Sequence, residues 1–135
     1  MKVYNILRGI FFLFLFSMVV YPQDSLQVLK RISDDTINLN YLEGAKGENL
    51  GLKISASYYL GERKSDKAVI PLMNILHTDK SPEARIMAAL SLFKIGDSRG
   101  LYAIKEAAQK DDNEWVKKMC NIFYQMYLVN KETDK

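Results

Sequence analysis

A five-residue pattern occurs twice in the sequence and limits the fold more than any other feature. Residues 58–62 (YYLGE) and residues 93–97 (FKIGD), 35 positions later, each contain an aromatic residue, any residue, an aliphatic residue, glycine and an acid. Glycine after an apolar helical stretch is typical of a helix end, where the backbone needs a positive φ. We therefore predict a helical repeat with a period of 35 residues, in which Gly61 and Gly96 end equivalent helices.

Apolar residues at intervals of three and four predict the individual helices. Asn49 and Ser81 are predicted N-caps, because their side chains accept hydrogen bonds from the free N–H groups of a first turn. Pro71 lacks an N–H and is tolerated only in a first turn, so regular helix is expected from residue 69 or 70. The predicted helices cover residues 24–35, 49–60, 67–76, 82–95, 100–109 and 114–129.

The segment before Asp24, residues 1–23, is predicted to be a signal peptide that precedes a repeat domain over residues 24–135. Lys2 and Arg8 supply a positive start, and the apolar run at residues 10–20 has a signal peptide's length, whereas a membrane span needs roughly 20 apolar residues. We expect cleavage near Gln23 and a periplasmic or secreted protein. A clean small-x-small cleavage site is missing, so an uncleaved segment that anchors the protein to a membrane remains the alternative.

Charge and cysteine content restrict the partners of the exported part. Of the 19 basic residues, removal of Lys2 and Arg8 leaves 17 against 16 acidic ones, so no concentrated basic face is expected and nucleic acid is not a predicted partner. Cys120 is the only cysteine, so no intrachain disulfide can form. Its position on the apolar side of the last helix predicts a buried thiol, with an intermolecular disulfide as the alternative.

Residues 84–97 (ARIMAALSLFKIGD) resemble HEAT-like repeats of the phycobilisome-lyase type. In that family a small apolar residue and an arginine open the helix, paired alanines and a leucine follow, and an aliphatic–Gly–Asp sequence closes it. The likeness covers about residues 49–129, although the last helix lacks the Gly–Asp ending. The resemblance implies an all-α fold, a short right-handed α-solenoid of antiparallel helix hairpins, with the final helix as a cap.

The resemblance also implies a function and a contact surface. Some relatives attach or isomerise bilin chromophores and many more are binding scaffolds; an exported protein is badly placed to serve a cytosolic phycobilisome. We therefore expect a scaffold for protein–protein interaction, with no cofactor. In such arrays the second helix of each hairpin lines the concave face. The implied contact residues are outward-facing positions of these helices, namely Lys67, Asn74, Lys105, Glu106 and Gln109.

Few residues suit catalysis or metal binding. His77 is the only histidine, and a surface histidine at a helix C-terminus is favoured over a metal ligand because no cysteine lies nearby in the sequence. Most aromatic residues are expected in the core, with Tyr102, Trp115 and Tyr124 partly exposed. Capping and solvation explain the carboxylates of the turns, namely Glu62, Asp66, Asp79, Asp97, Asp111 and Asp112. We expect no enzyme; an enzyme accessory protein that acts on a small ligand is the alternative.

Overall fold

The computed structural model describes residues 25–133, which are helical almost throughout and contain no strand. Helix α1 covers residues 25–46. It is followed by α2 (Leu50–Glu62), a 3₁₀ turn (Asp66–Ala68), α3 (Val69–Thr78), α4 (Pro82–Ile95), α5 (Ser98–Lys110) and α6 (Glu114–Thr133). The all-α prediction is thus confirmed for this part of the chain. The predicted signal peptide, residues 1–23, lies outside the described residues.

The chain divides into two compact units, one that ends at Ile37 and one that begins at Asn38. In the first unit the described residues, 25–37, are helical, and the large apolar side chains Leu26, Val28, Leu29 and Ile32 are exposed. The second unit contains the repeat. Across residues 25–133 no helix combines the length and the apolar character that a membrane span needs.

Three helices of the second unit begin with the same cap. The side chains of Asn49, Ser81 and Asn113 each accept a hydrogen bond from an N–H two or three residues later, over 2.9 to 3.3 Å. These bonds satisfy N–H groups that have no partner within the helix. The predicted caps at Asn49 and Ser81 are confirmed. The three caps are evenly spaced along the sequence, so α2, α4 and α6 are equivalent helices.

The spacing of the caps, from position 49 to 81 to 113, sets the repeat period, and the predicted period of 35 is wrong. Gly61 lies inside α2, which continues to Glu62. The left-handed backbone position that follows this helix is occupied by Lys64, with φ of 48°. Gly96, at the equivalent position of the next repeat, has φ of 77° and ends α4 as predicted. The predicted period paired two glycines with different roles.

Gly61 is required for close approach of two helices. A Cβ atom at this position would lie 2.7 Å from the Cα atom of Ser91 on α4. The same contact includes a hydrogen bond of 2.7 Å, which the Ser91 hydroxyl donates to the backbone carbonyl of Ser57. A glycine at the crossing point therefore lets α2 and α4 pack backbone against backbone.

Pro71 explains why the first hairpin contains a 3₁₀ turn. Residues 66–78, formed by this turn and α3, correspond in the next repeat to the continuous helix α5. Proline has no N–H, and its ring clashes with the carbonyl four residues earlier in an α-helix. The turn before it is consequently 3₁₀, and regular helix begins at Val69, as predicted from the sequence.

The second unit is built from two layers. Helix α4 lies between α2 and α6 in one layer and also packs against α3 and α5, which contact each other in the second layer. The fully buried core residues include Leu60, Leu72, Leu92, Ile104 and Val116. Ala88 and Ala89, also fully buried, keep the helices close. The predicted stack of helical repeats is confirmed.

Two tyrosines were expected in the core but lie at its outer edge. Tyr58 is 38% exposed and Tyr59 is 47% exposed. Tyr58 is covered by the ammonium group of Lys94, 4.5 Å from the ring centroid, and Tyr59 stacks on Tyr41 at 5.1 Å. Because Gly61 and Ser57 occupy the contact with α4, the neighbouring tyrosines project to the side of it.

Candidate functional site

An ion pair occurs at the same place within each of two successive repeats. Lys53 on α2 pairs with Asp79, which follows α3, and Arg85 on α4 pairs with Asp111, which follows α5, over 2.9 Å. Arg85 and Asp111 occupy in the second repeat the positions that Lys53 and Asp79 occupy in the first. Lys117 occupies the next equivalent position on α6 and pairs within its own helix with Glu114 at 2.5 Å.

Arg85 is the central residue of this arrangement. It is only 7% exposed. Its Nη2 donates to Asp111 at 2.9 Å and to Asp112 at 2.7 Å, and its Nη1 donates to the backbone carbonyl of Asp79 at 2.8 Å. A buried charge is tolerated when it is paired and hydrogen-bonded in this way. One guanidinium group therefore links the turns that follow α3 and α5.

These contacts also act on the pKa of Asp79. Burial by itself raises the pKa of Asp79, but the hydrogen bonds from Lys53 and from the Ser81 N–H, with the charge of Arg85, bring this pKa below its ordinary value. The group is ionised at neutral pH and already committed to partners. Such a carboxylate suits a structural link rather than proton transfer.

Two adjoining grooves lie along the layer of α3 and α5. The first, about 870 Å³, is bordered by the end of α1, the start of α2 and α3, and its apolar lining includes Leu50, Ile70 and Pro71. The second, about 590 Å³, lies between the ends of α3 and α5. Both are lined by residues 78–80, so they meet at the turn after α3.

The five predicted contact residues are distributed unevenly over these grooves. Asn74 lines the first groove and Glu106 lines the second, at equivalent positions of successive repeats. Lys67, Lys105 and Gln109 are exposed but line neither of these two grooves. The Nζ atom of Lys105 lies 5.9 Å from the ring centroid of Tyr124, and Glu106 accepts a hydrogen bond from Lys110 at 2.6 Å. The contact surface as a whole stays a prediction.

Sequence reasoning missed the apolar part of the first groove. Ile70 is 58% exposed and was not among the contact residues predicted from the sequence. Its signal was present in the spacing: Val69, Leu72 and Leu76 form the buried stripe of α3, and Ile70 falls outside it. An isoleucine on the polar side of an amphipathic helix is a candidate for contact with a partner.

A comparison with protein families matches residues 41–121 to HEAT repeats. The chain belongs to the HEAT-repeat family. The match covers more than half of the chain and extends from the last part of α1 into α6. No curated protein matches the chain. HEAT repeats commonly mediate protein–protein interaction. In this HEAT-repeat protein Arg85 links two successive repeats, because it pairs with Asp111 of its own repeat and donates to the backbone carbonyl of Asp79 in the repeat before it.

The remaining reactive side chains of this HEAT-repeat protein are separate from one another. His77 is exposed in the last turn of α3, where it lines the second groove. Residues 25–133 contain no group of three or more His, Cys, Asp or Glu side chains that could hold a metal ion. Cys120 is fully buried on α6, as predicted, and burial, together with the charge of Asp111, raises the pKa of its thiol to about 12.

Proposed function

We propose that this protein is an exported HEAT-repeat scaffold, without catalytic activity, that binds another protein through the surface formed by α3 and α5. The observation that carries the proposal is the pair of adjoining grooves along these helices. The apolar lining of the first groove includes Leu50, Ile70 and Pro71, and the polar side chains of Asn74 and Lys80 line the same groove. An apolar centre with a polar rim is the arrangement that protein interfaces use.

The charges around the grooves favour binding over catalysis. Ion pairs within the repeats hold Lys53 to Asp79 and Arg85 to Asp111, and Glu106 is paired with Lys110. A catalytic acid or base needs a pKa near the working pH and access to a substrate proton. These groups instead fix the turns that shape the grooves. A rigid, partly apolar surface is what a protein partner requires.

Export is supported by the sequence of the N-terminal segment. Its positive start and the apolar run at residues 10–20 are typical of a signal peptide. The finer likeness to repeats of the phycobilisome-lyase type rests on residues 84–97 and carries no chromophore function into this proposal. N-terminal sequencing of the mature protein tests export: a start near Asp24 supports cleavage, and a start at Met1 in a membrane fraction supports a tethered adaptor instead.

The contact surface is tested by affinity purification with point variants. Four proteins are used to capture partners from the native compartment: the native protein, Ile70→Lys, the double variant Asn74→Ala with Glu106→Ala, and Ile122→Lys. The bound proteins are quantified by mass spectrometry. A partner that uses the grooves is captured by native protein and by Ile122→Lys, and its recovery falls at least about tenfold with Ile70→Lys, which introduces a charge at the interface centre.

Circular dichroism serves as the control for folding in each of these variants. The proposal for this surface is contradicted if the groove variants retain the partner while changes on α2 or α4 abolish its binding. A measurable conversion of a small molecule by the purified protein, lost in His77→Ala, would contradict the non-catalytic part of the proposal.

A further inference from the structure

Helix α6 has a face on which no further repeat packs within residues 25–133. Helices α2, α4 and α6 are equivalent, and α4 contacts both of its neighbours in this layer. The side of α6 that points away from α4 is therefore the position where a fourth equivalent helix would continue the stack. The corresponding side of α4 faces α6 and includes Phe93, which packs on Phe123 of α6 with ring centroids 6.0 Å apart.

Three of the five exposed large apolar residues of α6 follow a seven-residue spacing. Trp115, Ile122 and Val129 are 57%, 40% and 59% exposed. Residues seven positions apart lie on the same side of a helix, and this spacing is the one that packs against another helix in coiled coils. Met126, 48% exposed, widens the stripe between Ile122 and Val129. The spacing thus indicates a helix, rather than an extended peptide, as the occupant of this face.

The middle of this face is uncharged, and at one end Lys118 lies over the Trp115 ring, with its Nζ atom 5.5 Å from the ring centroid. A shallow groove of about 370 Å³ is lined by Asn121, Ile122, Gln125, Met126, Val129 and Asn130, none of which is ionisable. A side-chain amide both donates and accepts hydrogen bonds, so an amide-bearing face can pair with a copy of itself. The groove therefore carries no charge that would repel the same groove of a second molecule.

We propose that α6 packs antiparallel against α6 of a second copy of this chain, about a two-fold axis near Ile122. This symmetry places Trp115 of one copy beside Val129 of the other and brings the two Ile122 side chains together. A two-fold interface uses the same patch on both molecules and leaves no open end. It also continues the stacking of α2, α4 and α6 across the interface.

The size of the face sets the expected strength of the dimer. A helix of 20 residues is about 30 Å long. Contact along one such helix buries less than the roughly 800 Å² per partner of a standard interface. The dimer is therefore weak, with dissociation at micromolar concentration.

Sedimentation velocity of the purified mature protein over a range of micromolar concentrations tests the proposal. Native protein shifts from monomer to dimer, Ile122→Lys raises the dissociation constant at least about tenfold by placing two charges at the axis, and Ile70→Lys dimerises like the native chain. Ile70 is the matched control because it is an exposed isoleucine on a different helix, α3. A monomer at every concentration, or equal loss in both variants, overturns the proposal.

Cysteine crosslinking gives an independent measurement of register. Under mild oxidation Ile122→Cys forms a disulfide-linked dimer, because the two-fold axis brings the two new thiols together. Tyr102→Cys, at an exposed position of α5, remains monomeric, and the buried native Cys120 does not react. Equal crosslinking of the two variants overturns the proposal. Since Ile122→Lys changes dimerisation and Ile70→Lys changes capture of the partner, failure of this inference is distinguishable from failure of the proposed function.

Discussion

Replacement of Gly61 by alanine tests whether direct contact of two helix backbones holds the first two repeats together. The new Cβ would lie 2.7 Å from Ser91 Cα and 2.9 Å from Ser91 Cβ. Ordinary contact between carbon atoms needs about 3.7 Å, so α2 and α4 must separate by about 1 Å at this point. Separation of this size also lengthens the hydrogen bond of 2.7 Å from the Ser91 hydroxyl to Ser57.

The expected loss of stability follows from these terms. Overpacking of a dense contact costs about 1–3 kcal/mol, and the weakened hydrogen bond costs about 1 kcal/mol more. Alanine is favoured over glycine within a helix by about 1 kcal/mol, which offsets part of this cost. We therefore expect Gly61→Ala to lower the free energy of unfolding by about 1–3 kcal/mol.

Gly51→Ala provides a control in the same helix. Gly51 is exposed, and a Cβ there would meet only the Asn49 side-chain oxygen, at 3.5 Å. This variant gains the helix preference without the clash, so its stability should rise by up to about 1 kcal/mol. Urea unfolding followed by far-ultraviolet circular dichroism measures both variants. If Gly61→Ala is as stable as Gly51→Ala, the reasoning about the helix crossing is refuted.

Four further predictions concern single groups. Lys64→Gly relieves a left-handed residue and should raise stability by about 1 kcal/mol in the same urea assay. Arg85→Leu leaves a buried carboxylate unpaired and should cost about 3 kcal/mol, whereas Lys117→Leu, which breaks a surface pair, should cost under about 1 kcal/mol. The thiol of Cys120, with a pKa of about 12, should react with a thiol reagent only when urea unfolds the chain. Hydrogen bonds from Arg99 lower the pKa of Asp97 from 3.8 to about 2. The ionised Asp97 therefore stabilises the folded protein fully above pH 3.8, and this stabilisation is lost as the pH falls to about 2. In acid titrations the free energy of unfolding of Asp97→Asn should fall less over this range than that of the native protein.

Local signals made most helices predictable. Asn49 and Ser81 cap helices as their chemistry requires, and Pro71 fixes the start of regular helix at Val69. Helix ends were less predictable: α5 begins at Ser98 and α6 continues to Thr133, beyond the predicted bounds. Here the deciding factor is a local cap or an exposed final turn, which apolar spacing does not reveal.

Interactions between helices were harder to predict. The role of Gly61 depends on Ser91 of a different helix, and nothing near Gly61 in the sequence distinguishes a helix crossing from a helix end. The links of Lys53 and Arg85 to acidic turns were also missed, because each turn carboxylate had a sufficient local explanation as a cap. A search at the spacing of the caps aligns these basic and acidic positions and would have found the links.

The ion pairs within the repeats also bear on how such an array can lengthen. In both existing links the aspartate follows the basic residue by 26 positions. Lys117 is the basic residue at the next equivalent position, and it pairs with Glu114 at the surface. Because both members of a pair lie within one repeat, a tandem copy of residues 81–112 would carry the basic residue and its aspartate together. Gene duplication can therefore extend this array while every new turn finds its charge partner already in place.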